Sequence, residues 1–459
     1  MSKFNLNVLV TGGCGFIGSN FCCKSYNLFN KFIILDSINY AGNINNIKEI
    51  LDEENVELIN EDICNVNLIE IYNKYDIDLI INFAAQTHVD NSYKLLNSFI
   101  KDNVLATTFL VESLRNHSKK IKLIHFSTDE IYGESKGDME LIETTNFNPT
   151  NPYAATKASS EMIINSYIIS FRLDVIIIRC NNVFGIKQHI EKVIPLFTNK
   201  ALNDEELTIH GHKDKIRDFI HTDDVNNAVY IIIKKGKSGE VYNIGVENPI
   251  KILDLANYII KKIGKGRITY INDRPFNDYR YRINCDKLKA LGWKVESDFY
   301  EKLNEVIDWI KENKFDEHRE IKTFKLNEIP DIRGKTIKLK TNILIVDQFV
   351  SVNKKNVLRG IKKSSYSKLV TLINGSVIYY VIDFSGEKPN HQKIFMSKFT
   401  TNQIYIPENF GHLFISLEDN TTLLYQLEDK YNPENEETIS PFDSDLKLGL
   451  PKEDYIIKP

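Results

Sequence analysis

The sequence predicts an α/β chain: a doubly wound parallel sheet carrying a smaller lobe, followed by an all-β domain. Three observations carry this reading. Apolar strand-like runs alternate with helical stretches up to about residue 180. A glycine-rich turn stands between the first strand and the first helix. After about residue 322 the helical pattern gives way to short β-rich runs separated by turn residues.

Residues 5–11 read as a strand, followed by Gly12-Gly13-Cys14-Gly15-Phe16-Ile17-Gly18-Ser19-Asn20 and a helix to about Phe29. A second strand at 32–35 ends in Asp36. Strands at 56–59, 79–83, 121–126 and 175–179 then alternate with helical stretches at 68–75, 99–114 and 154–170. Beyond Asn181 the pattern is less regular, with short strands at 207–210 and 240–243 and a helix at 252–261, as expected of a smaller lobe over the strand ends. A closing helix at 300–311 leads into the charged stretch 311–322, read as a linker. The expected domains are therefore 1–322, with its core mainly 1–180 and its substrate lobe mainly 181–322, and 323–459. In the latter, 335–339, 343–346, 369–372, 377–383, 403–406, 412–416 and 421–427 are strand-like, with turns such as Asn374-Gly375 and Glu418-Asp419-Asn420. Such a pattern fits a sandwich or barrel.

A length of 459 residues allows large cores, and a net charge of −4 gives no footprint for nucleic acid or an anionic membrane. The apolar runs are too short to span a bilayer, and Met1-Ser2-Lys3-Phe4 enters the first strand with no room for a signal peptide. Cys14, Cys22, Cys23, Cys64, Cys180 and Cys285 include no CxxC spacing, which suits a reducing cytoplasm and argues against structural zinc or a disulfide framework. His88, His210, His212 and His221 likewise show no metal-ligand spacing. The abundance of Asn, Ile and Lys reads as compositional drift without a mechanism.

Chemistry enters at three places. Gly12, Gly15 and Gly18, directly after a strand and opening a helix, let the backbone approach a pyrophosphate at the helix amino terminus. Asp36 follows at the distance where a carboxylate takes ribose hydroxyls and repels a 2′-phosphate, so NAD is expected over NADP. Phe126-Ser127-Thr128-Asp129-Glu130-Ile131-Tyr132-Gly133 puts two acids at the carboxyl end of a strand, where ligands of open α/β sheets sit. Adjacent carboxyls push their pKa values apart and can serve as an acid and a base; the plainer reading is an acidic turn. Tyr153 and Lys157, four apart on a helix starting after Asn151-Pro152, pair a phenol with an ammonium that would lower its pKa for proton abstraction.

Thr11 to Asn20, Asn82-Phe83-Ala84-Ala85-Gln86-Thr87-His88-Val89-Asp90, Ser127-Thr128-Asp129-Glu130, Tyr153 to Lys157 and Arg274-Pro275-Phe276-Asn277-Asp278 together resemble the nucleoside-diphosphate-glucose 4,6-dehydratases, extended short-chain dehydrogenases with a Rossmann core. The resemblance runs from Val8 to about Trp309. It implies that Tyr153, assisted by Lys157 and Thr128, removes the 4-hydroxyl proton of the sugar as NAD is reduced. Glu130 would then take the acidified proton from carbon 5, Asp129 would protonate the departing 6-hydroxyl, and NAD would be regenerated in place. It also implies cofactor contacts at Gly12, Gly15, Phe16, Ile17, Gly18, Asp36, Asp62, Ile63, Ala84, Ala85, Thr87, Tyr153 and Lys157. Substrate contacts are implied at His88, Thr128, Asn182, Lys192, Arg217, Arg274 and Asn277, cations and amides suited to a diphosphate. The segments at 86–91 and 274–278 look closer to the UDP-glucose than to the dTDP-glucose branch. The family suggests a homodimer through the helices at 99–114 and 154–170.

From about Phe324 the chain resembles dTDP-4-dehydrorhamnose 3,5-epimerase, a cupin-type jelly roll, through Val357-Leu358-Arg359-Gly360-Ile361, Lys368-Leu369-Val370, Ile406 to His412 and Tyr431-Asn432-Pro433. Lys362 stands where that family has its basic histidine, and Gly449 where it has the orienting aspartate; Tyr425, its proton donor, remains. The expectation is a non-catalytic cupin, with a bifunctional enzyme using Lys362 and Tyr425 as the alternative. A purely binding protein fits poorly with Tyr153, Lys157, Asp129 and Glu130 all present.

Overall fold

The computed structural model describes residues 3–38, 41–135, 137, 139–211, 215–271, 280–313, 322–324, 328–331, 334–337, 347–386, 389–397, 402–429, 436–443, 446, 448, 450 and 455–457. The chain divides into two compact units, Met1–Phe315 and Asp316–Pro459.

In the first unit the strands β1 (Asn7–Thr11), β2 (Lys31–Asp36), β3 (Val56–Asn60), β4 (Leu79–Asn82), β5 (Lys122–Thr128) and β6 (Val175–Cys180) are followed by β7 (Asn182–Phe184), β8 (Glu206–His210), β9 (Ile216–His221) and β10 (Val241–Ile244). A seven-stranded parallel sheet runs β10-β6-β5-β4-β1-β2-β3. The strand order reverses between β1 and β4, which opens a crevice at their carboxyl ends. Residues alternate faithfully between the two faces of the sheet. Val8, Val10, Phe32, Ile34 and Ile81 join one apolar core with Phe21 and Cys22 of α1 (Phe16–Ser25). Leu9, Ile33, Leu35 and Ile80 join the other. That face is covered by α2 (Leu68–Tyr75) and, after α3 (Val89–Lys94) and α4 (Leu96–Phe99), by α5 (Ala106–Asn116) and α6 (Pro152–Phe171). Each such fully buried Leu, Ile or Phe contributes roughly 1.5–3 kcal/mol.

Two expectations need correction. The strand expected at 240–243 with the lobe is β10, which extends the main sheet beside β6, with Val241 opposite Ile177. The single helix expected at 99–114 is broken: α4 and α5 are joined by a wide π turn, Ile100–Leu105. The widened turn seats buried Asn103, whose amide accepts from Gln86 N at 2.7 Å and donates to Thr156 Oγ1 at 2.9 Å. This side chain ties the loop after β4 to α6, a use of the π turn that apolar periodicity does not reveal.

The smaller lobe is built from β7, α7 (Val193–Leu202), β8, β9, β11 (Pro249–Lys251), α9 (Ile252–Ile263), β12 (Arg267–Ile271) and α11 (Phe299–Asn313), whereas α8 (Thr222–Lys235) and α10 (Asp286–Lys289) pack into the main-sheet core on the α1 side. Phe184, Phe197, Leu207, Leu255, Ile259, Leu303 and Ile307 form its core. No helix among the described residues is long and apolar enough to cross a membrane.

The second unit is all β. One sheet orders Lys322–Phe324, Gln403–Ile406, Lys368–Asn374, Thr421–Leu427 and Asp347–Asn353; the other orders Asn390–Ser397, Ser376–Asp383, Gly411–Ser416, Val357–Ser364 and Glu436–Thr438. Neighbours within these sheets are antiparallel, except that Ile456–Ile457 adds a parallel pair. Val370, Ile404 and Leu423 of the first sheet meet Tyr379, Val381 and Phe414 of the second in one core, as in a sandwich. The strand expected at 343–346 lies outside the described residues.

Candidate active site

The loop after β1 is shaped by close approach. Gly12 has φ +72°, and a Cβ there would lie 2.5 Å from Ala84 N; a Cβ on Gly18 would lie 2.1 Å from Gly12 O. Neither site accepts a side chain, so the start of α1 stays open to a phosphate. Gly12, Gly15, Asp36, Asp62, Ile63, Ala84 and Ala85 line one cavity. Asp36 closes β2, with Oδ2 accepting from Cys14 N and Oδ1 from Ile38 N, both at 2.8 Å. Burial pushes the carboxyl up, against the backbone donors of Ile38, Cys14 and Gly15, and its acceptor oxygens suit hydroxyl donors. Burial alone would raise Asp62 too, but Lys101 and the Cys64 amide hold it low. Phe16 and Ile17 open α1 and pack against the core. This donor set and glycine cradle fit a dinucleotide with free ribose hydroxyls. Thr87 lies elsewhere: it lines the neighbouring cavity and accepts from Lys192 Nζ at 3.1 Å through its carbonyl.

At the end of β5 the chain turns sharply through Asp129–Tyr132, with the Thr128 hydroxyl accepting from Glu130 N at 3.2 Å. Asp129 is 2% exposed. Burial first, then Glu130, push its carboxyl up to about 7, against Asn181 Nδ2, which donates to Oδ2 at 2.6 Å. Glu130 faces the cavity and accepts from Asn151 Nδ2 at 2.8 Å. The same Asn151 caps α6, its Oδ1 accepting from Ala154 N at 2.8 Å, with Pro152 pre-set in the first turn. One side chain thus fixes both Glu130 and the helix that carries Tyr153 and Lys157.

The Tyr153 and Lys157 pair differs from the expected arrangement. Burial, then Glu130, raise the Tyr153 phenol, while hydrogen bonding to Thr128 works the other way. Lys157 Nζ points along β5, donating to Phe126 O at 2.5 Å and lying 3.5 Å from His125 Nε2. Desolvation lowers its ammonium to about 8. The reason is local: α6 packs Lys157 against the middle of β5, where the Phe126 carbonyl and the His125 ring face it.

The second cavity brings together Thr87, His88, Glu130, Asn151, Asn182, Glu191, Lys192, Lys215 and Arg217 with Leu196, Phe197, Ile209 and Tyr281. Basic and amide groups beside apolar and aromatic ones are the mixture that suits a sugar nucleotide. His88 Nδ1 lies 3.5 Å from Glu191 Oε2, and burial pulls its ring below the ordinary value. Arg217 lies over the Tyr281 ring, and beside it Arg280 clamps Asp218 at 2.9 Å. Arg274 and Asn277 lie outside the described residues, as does His212. Sequence reasoning missed Asn181, His125, Glu191 and Lys215 as members of the site, and took Asn151 only as part of a helix start.

In the all-β unit, Lys362 Nζ donates to Thr438 Oγ1 at 2.7 Å on a partly exposed edge, and Gly449 and 431–433 lie outside the described residues. Tyr425 is buried, raised by that burial, and stacked on Phe349 at 4.8 Å. Next to it sits a cluster that motif reading passed over: buried Lys368 pairs with Glu436 at 2.8 Å and His412 at 3.0 Å, and Tyr379 meets the other His412 nitrogen at 2.8 Å.

Residues 9–306 match the family described as GDP-mannose 4,6 dehydratase, and residues 310–457 match dTDP-4-dehydrorhamnose 3,5-epimerase. A dTDP-D-glucose 4,6-dehydratase of Dictyostelium discoideum is 38% identical over 360 residues, covering 68% of this chain and 83% of that protein. The trifunctional UDP-glucose 4,6-dehydratase/UDP-4-keto-6-deoxy-D-glucose 3,5-epimerase/UDP-4-keto-L-rhamnose-reductase of Arabidopsis thaliana is 38% identical over 316 residues; the chain spans only 47% of its length. The dTDP-glucose 4,6-dehydratase of Streptomyces venezuelae, solved with NAD bound, superposes with a TM-score of 0.64 at 31% identity over 67% of this chain and 98% of that one. With the glycine cradle, the acid pair and the Tyr153 helix assembled on one sheet, the chain belongs to the nucleotide-sugar 4,6-dehydratase family, here joined to a region of the 3,5-epimerase family.

Proposed function

We propose that the chain dehydrates UDP-glucose to UDP-4-keto-6-deoxyglucose, with NAD retained at the β1 loop, and that its cupin region does not epimerise the product. The observation that carries this is the acid pair: Asp129 is pushed to about 7 beside Glu130, which opens onto the sugar cavity. Bound NAD supplies reversible two-electron oxidation at a sugar carbon. Gly12, Gly15, Asp36, Asp62, Ile63, Ala84 and Ala85 hold it. Tyr153, polarised by Thr128 and Lys157, takes the proton of the 4-hydroxyl. The resulting ketone acidifies carbon 5, and Glu130, held in place by Asn151, removes that proton. Asp129, protonated near neutrality, gives its proton to the 6-hydroxyl so that the oxygen leaves as water; carbon 6 would then take back the hydride removed from carbon 4, and carbon 5 a proton from Glu130. Lys192, Arg217 and Asn182 hold the diphosphate and sugar, with Arg274 and Asn277 completing the set by motif.

The preference for UDP rests on the 86–91 and 274–278 motifs; relatives acting on UDP-glucose and on dTDP-D-glucose are equally similar. A homodimer fits the exposed apolar residues Leu96, Ile100, Leu105, Phe109, Met162 and Ile169, and the cysteine pattern is what favours the cytoplasm. The partly exposed Lys362, engaged by Thr438, is the basis for the inactive cupin. One observation favours the bifunctional reading instead: Lys368, Glu436, His412 and Tyr379 keep an ionisable cluster beside Tyr425.

The test is incubation with UDP-glucose or dTDP-glucose in deuterated water, with the product read by NMR. A 4-keto-6-deoxy sugar with deuterium at carbon 5 alone is expected, formed faster from UDP-glucose. Absence of that ketone sinks the dehydratase reading, and enzyme-dependent exchange at carbon 3 sinks the inactive cupin.

A further inference from the structure

The mechanism leaves one buried titratable group unused. His125 is fully buried in the middle of β5, and its neighbours across the sheet are polar at the same level: Asn82 of β4 stands opposite His125, and Thr11 of β1 opposite Asn82. Strands this central are ordinarily apolar throughout. Thr11 Oγ1 donates to Asn82 Oδ1 at 2.6 Å, Asn82 Nδ2 meets His125 Nδ1 at 2.9 Å, and His125 Nε2 faces Lys157 Nζ at 3.5 Å. Thr11, Asn82, His125 and Lys157 are each at most 2% exposed. The chain of contacts crosses three strands and ends on the lysine that serves Tyr153.

We propose that His125 is a positioning residue for the proton-transfer step: with Asn82 and Thr11 it forms a two-way hydrogen-bond chain whose direction is coupled to the proton on Lys157. The proposal rests on the role of Lys157 given above. In the direction seen, Thr11 donates to the Asn82 carbonyl, the Asn82 amide donates to Nδ1, and the ring proton sits on Nε2. A ring N–H facing Nζ needs a lone pair there, so this direction suits the neutral amine. Turning the Asn82 amide over reverses every bond: Nδ1–H donates to Oδ1, Nδ2 donates to Thr11 Oγ1, and the bare Nε2 accepts from the ammonium. The first direction also gives the Thr11 hydroxyl proton its acceptor, which the second takes away, so the second is favoured only when a proton on Lys157 must be accepted by Nε2.

Burial keeps the His125 ring neutral, so it changes tautomer and does not gain charge. The ionisable groups on the elements packed against this level are few. Glu161 and Tyr153 share α6 with Lys157, and Glu161 is held by Arg179 of β6 at 2.8 Å. Cys180 ends β6, Asp129 and Glu130 follow β5, and Asp102 in the π turn is engaged by Gln86. Among these, His125 alone touches Nζ with a group that can both donate and accept.

The test uses the full chain with ¹⁵N-labelled histidine, the His125→Gln variant assigning the His125 signals. Nitrogen NMR over a pH series should show the proton on Nδ1 while Lys157 is charged and on Nε2 once it is neutral. A single tautomer across that titration overturns the proposal. Thr11→Val, nearly isosteric, removes the far end of the chain. It should shift the pH at which kcat is half-maximal by about one unit, a tenfold change in proton affinity, with KM unchanged. An unaltered pH profile overturns the proposal. Lys157→Ala tests the underlying reading by itself: normal turnover there refutes the catalytic lysine, whatever the His125 spectra show.

Discussion

Asn151 offers a sharp separation of stability from catalysis, because its two hydrogen bonds do different work. Its Oδ1 caps α6 through Ala154 N, and its Nδ2 holds Glu130 Oε2, both at 2.8 Å. Asn151→Ala removes both; Asn151→Ser keeps a good cap and loses only the arm to Glu130. Loss of the cap costs about 1 kcal/mol, or roughly 2 °C in Tm for a domain of this size. A hydrogen bond to an ionised carboxylate contributes about 1.5–3 kcal/mol, and if that serves the base in the transition state, kcat falls roughly 10- to 100-fold. Thermal unfolding and the rate of 4-keto sugar formation should therefore give two patterns. The Ala variant loses stability and rate; the Ser variant keeps its Tm and still loses rate. A Ser variant with parental kcat would refute the assignment of Glu130 as the base positioned by Asn151.

Three further outcomes follow from the same geometry. Glu130→Gln should still form reduced NAD on addition of substrate, seen by its absorbance, but release no 4-keto-6-deoxy product; normal turnover would remove Glu130 from the elimination step. Asp129, raised to about 7, binds its proton more tightly folded than unfolded, so the stability this confers is full below the unfolded carboxyl pKa and is lost as pH rises through about 7. Asp129→Asn should flatten that fall in Tm between pH 5 and 8 while abolishing dehydration, and an unchanged pH dependence of Tm would show that Asp129 is not the group responsible. Glu161→Gln leaves Arg179 buried with its charge uncompensated beside Tyr132, which should cost about 3–5 kcal/mol in denaturant unfolding; a loss below 1 kcal/mol would mean that the pair is solvated.

The sequence was most legible where chemistry and backbone geometry demand one residue type. Gly12 and Gly18 are forced by the approach of Ala84 and of their own loop, so strand, glycine turn, helix and Asp36 could be read in order. The apolar runs at β1, β2 and β4 were legible as strands, whereas the division of their side chains between two cores came only with the fold. Legibility failed where tertiary contacts override local pattern. The π turn at Ile100–Leu105 exists because Asn103 must reach both Gln86 and Thr156, and neither contact is local. The edge strand β10 looked like lobe because its partner β6 lies over sixty residues earlier. Lys157 was expected to act on Tyr153 through charge; that its depth against β5 also gives it a carbonyl and a histidine as partners could not be read from the helix spacing.

The least legible part is also the most informative about how the site works. An abundance of asparagine looked like drift, yet three asparagines each hold one ionisable group: Asn151 holds Glu130, Asn181 holds Asp129, and Asn82 holds His125 beside Lys157. A counter-ion in any of these places would fix the charge of its partner, driving a carboxyl down or a lysine up. An amide fixes position without adding a charge: Asn181 offsets only part of the rise that burial and Glu130 give Asp129, and burial lowers Lys157, so the two end near 7 and 8. Groups that must both give and take a proton within one turnover need that balance. Replacing Asn181 by Asp should therefore do more harm than replacing it by Ala. An ionised Asp cannot donate to Asp129 Oδ2 and sets a second carboxyl against it, whereas Ala removes that donor and the acceptor of Val246 N without adding a charge. Measured as kcat at pH 7, the order parent, Ala, Asp is expected, and an Asp variant more active than the Ala variant would show that charge, not position, is what Asn181 supplies.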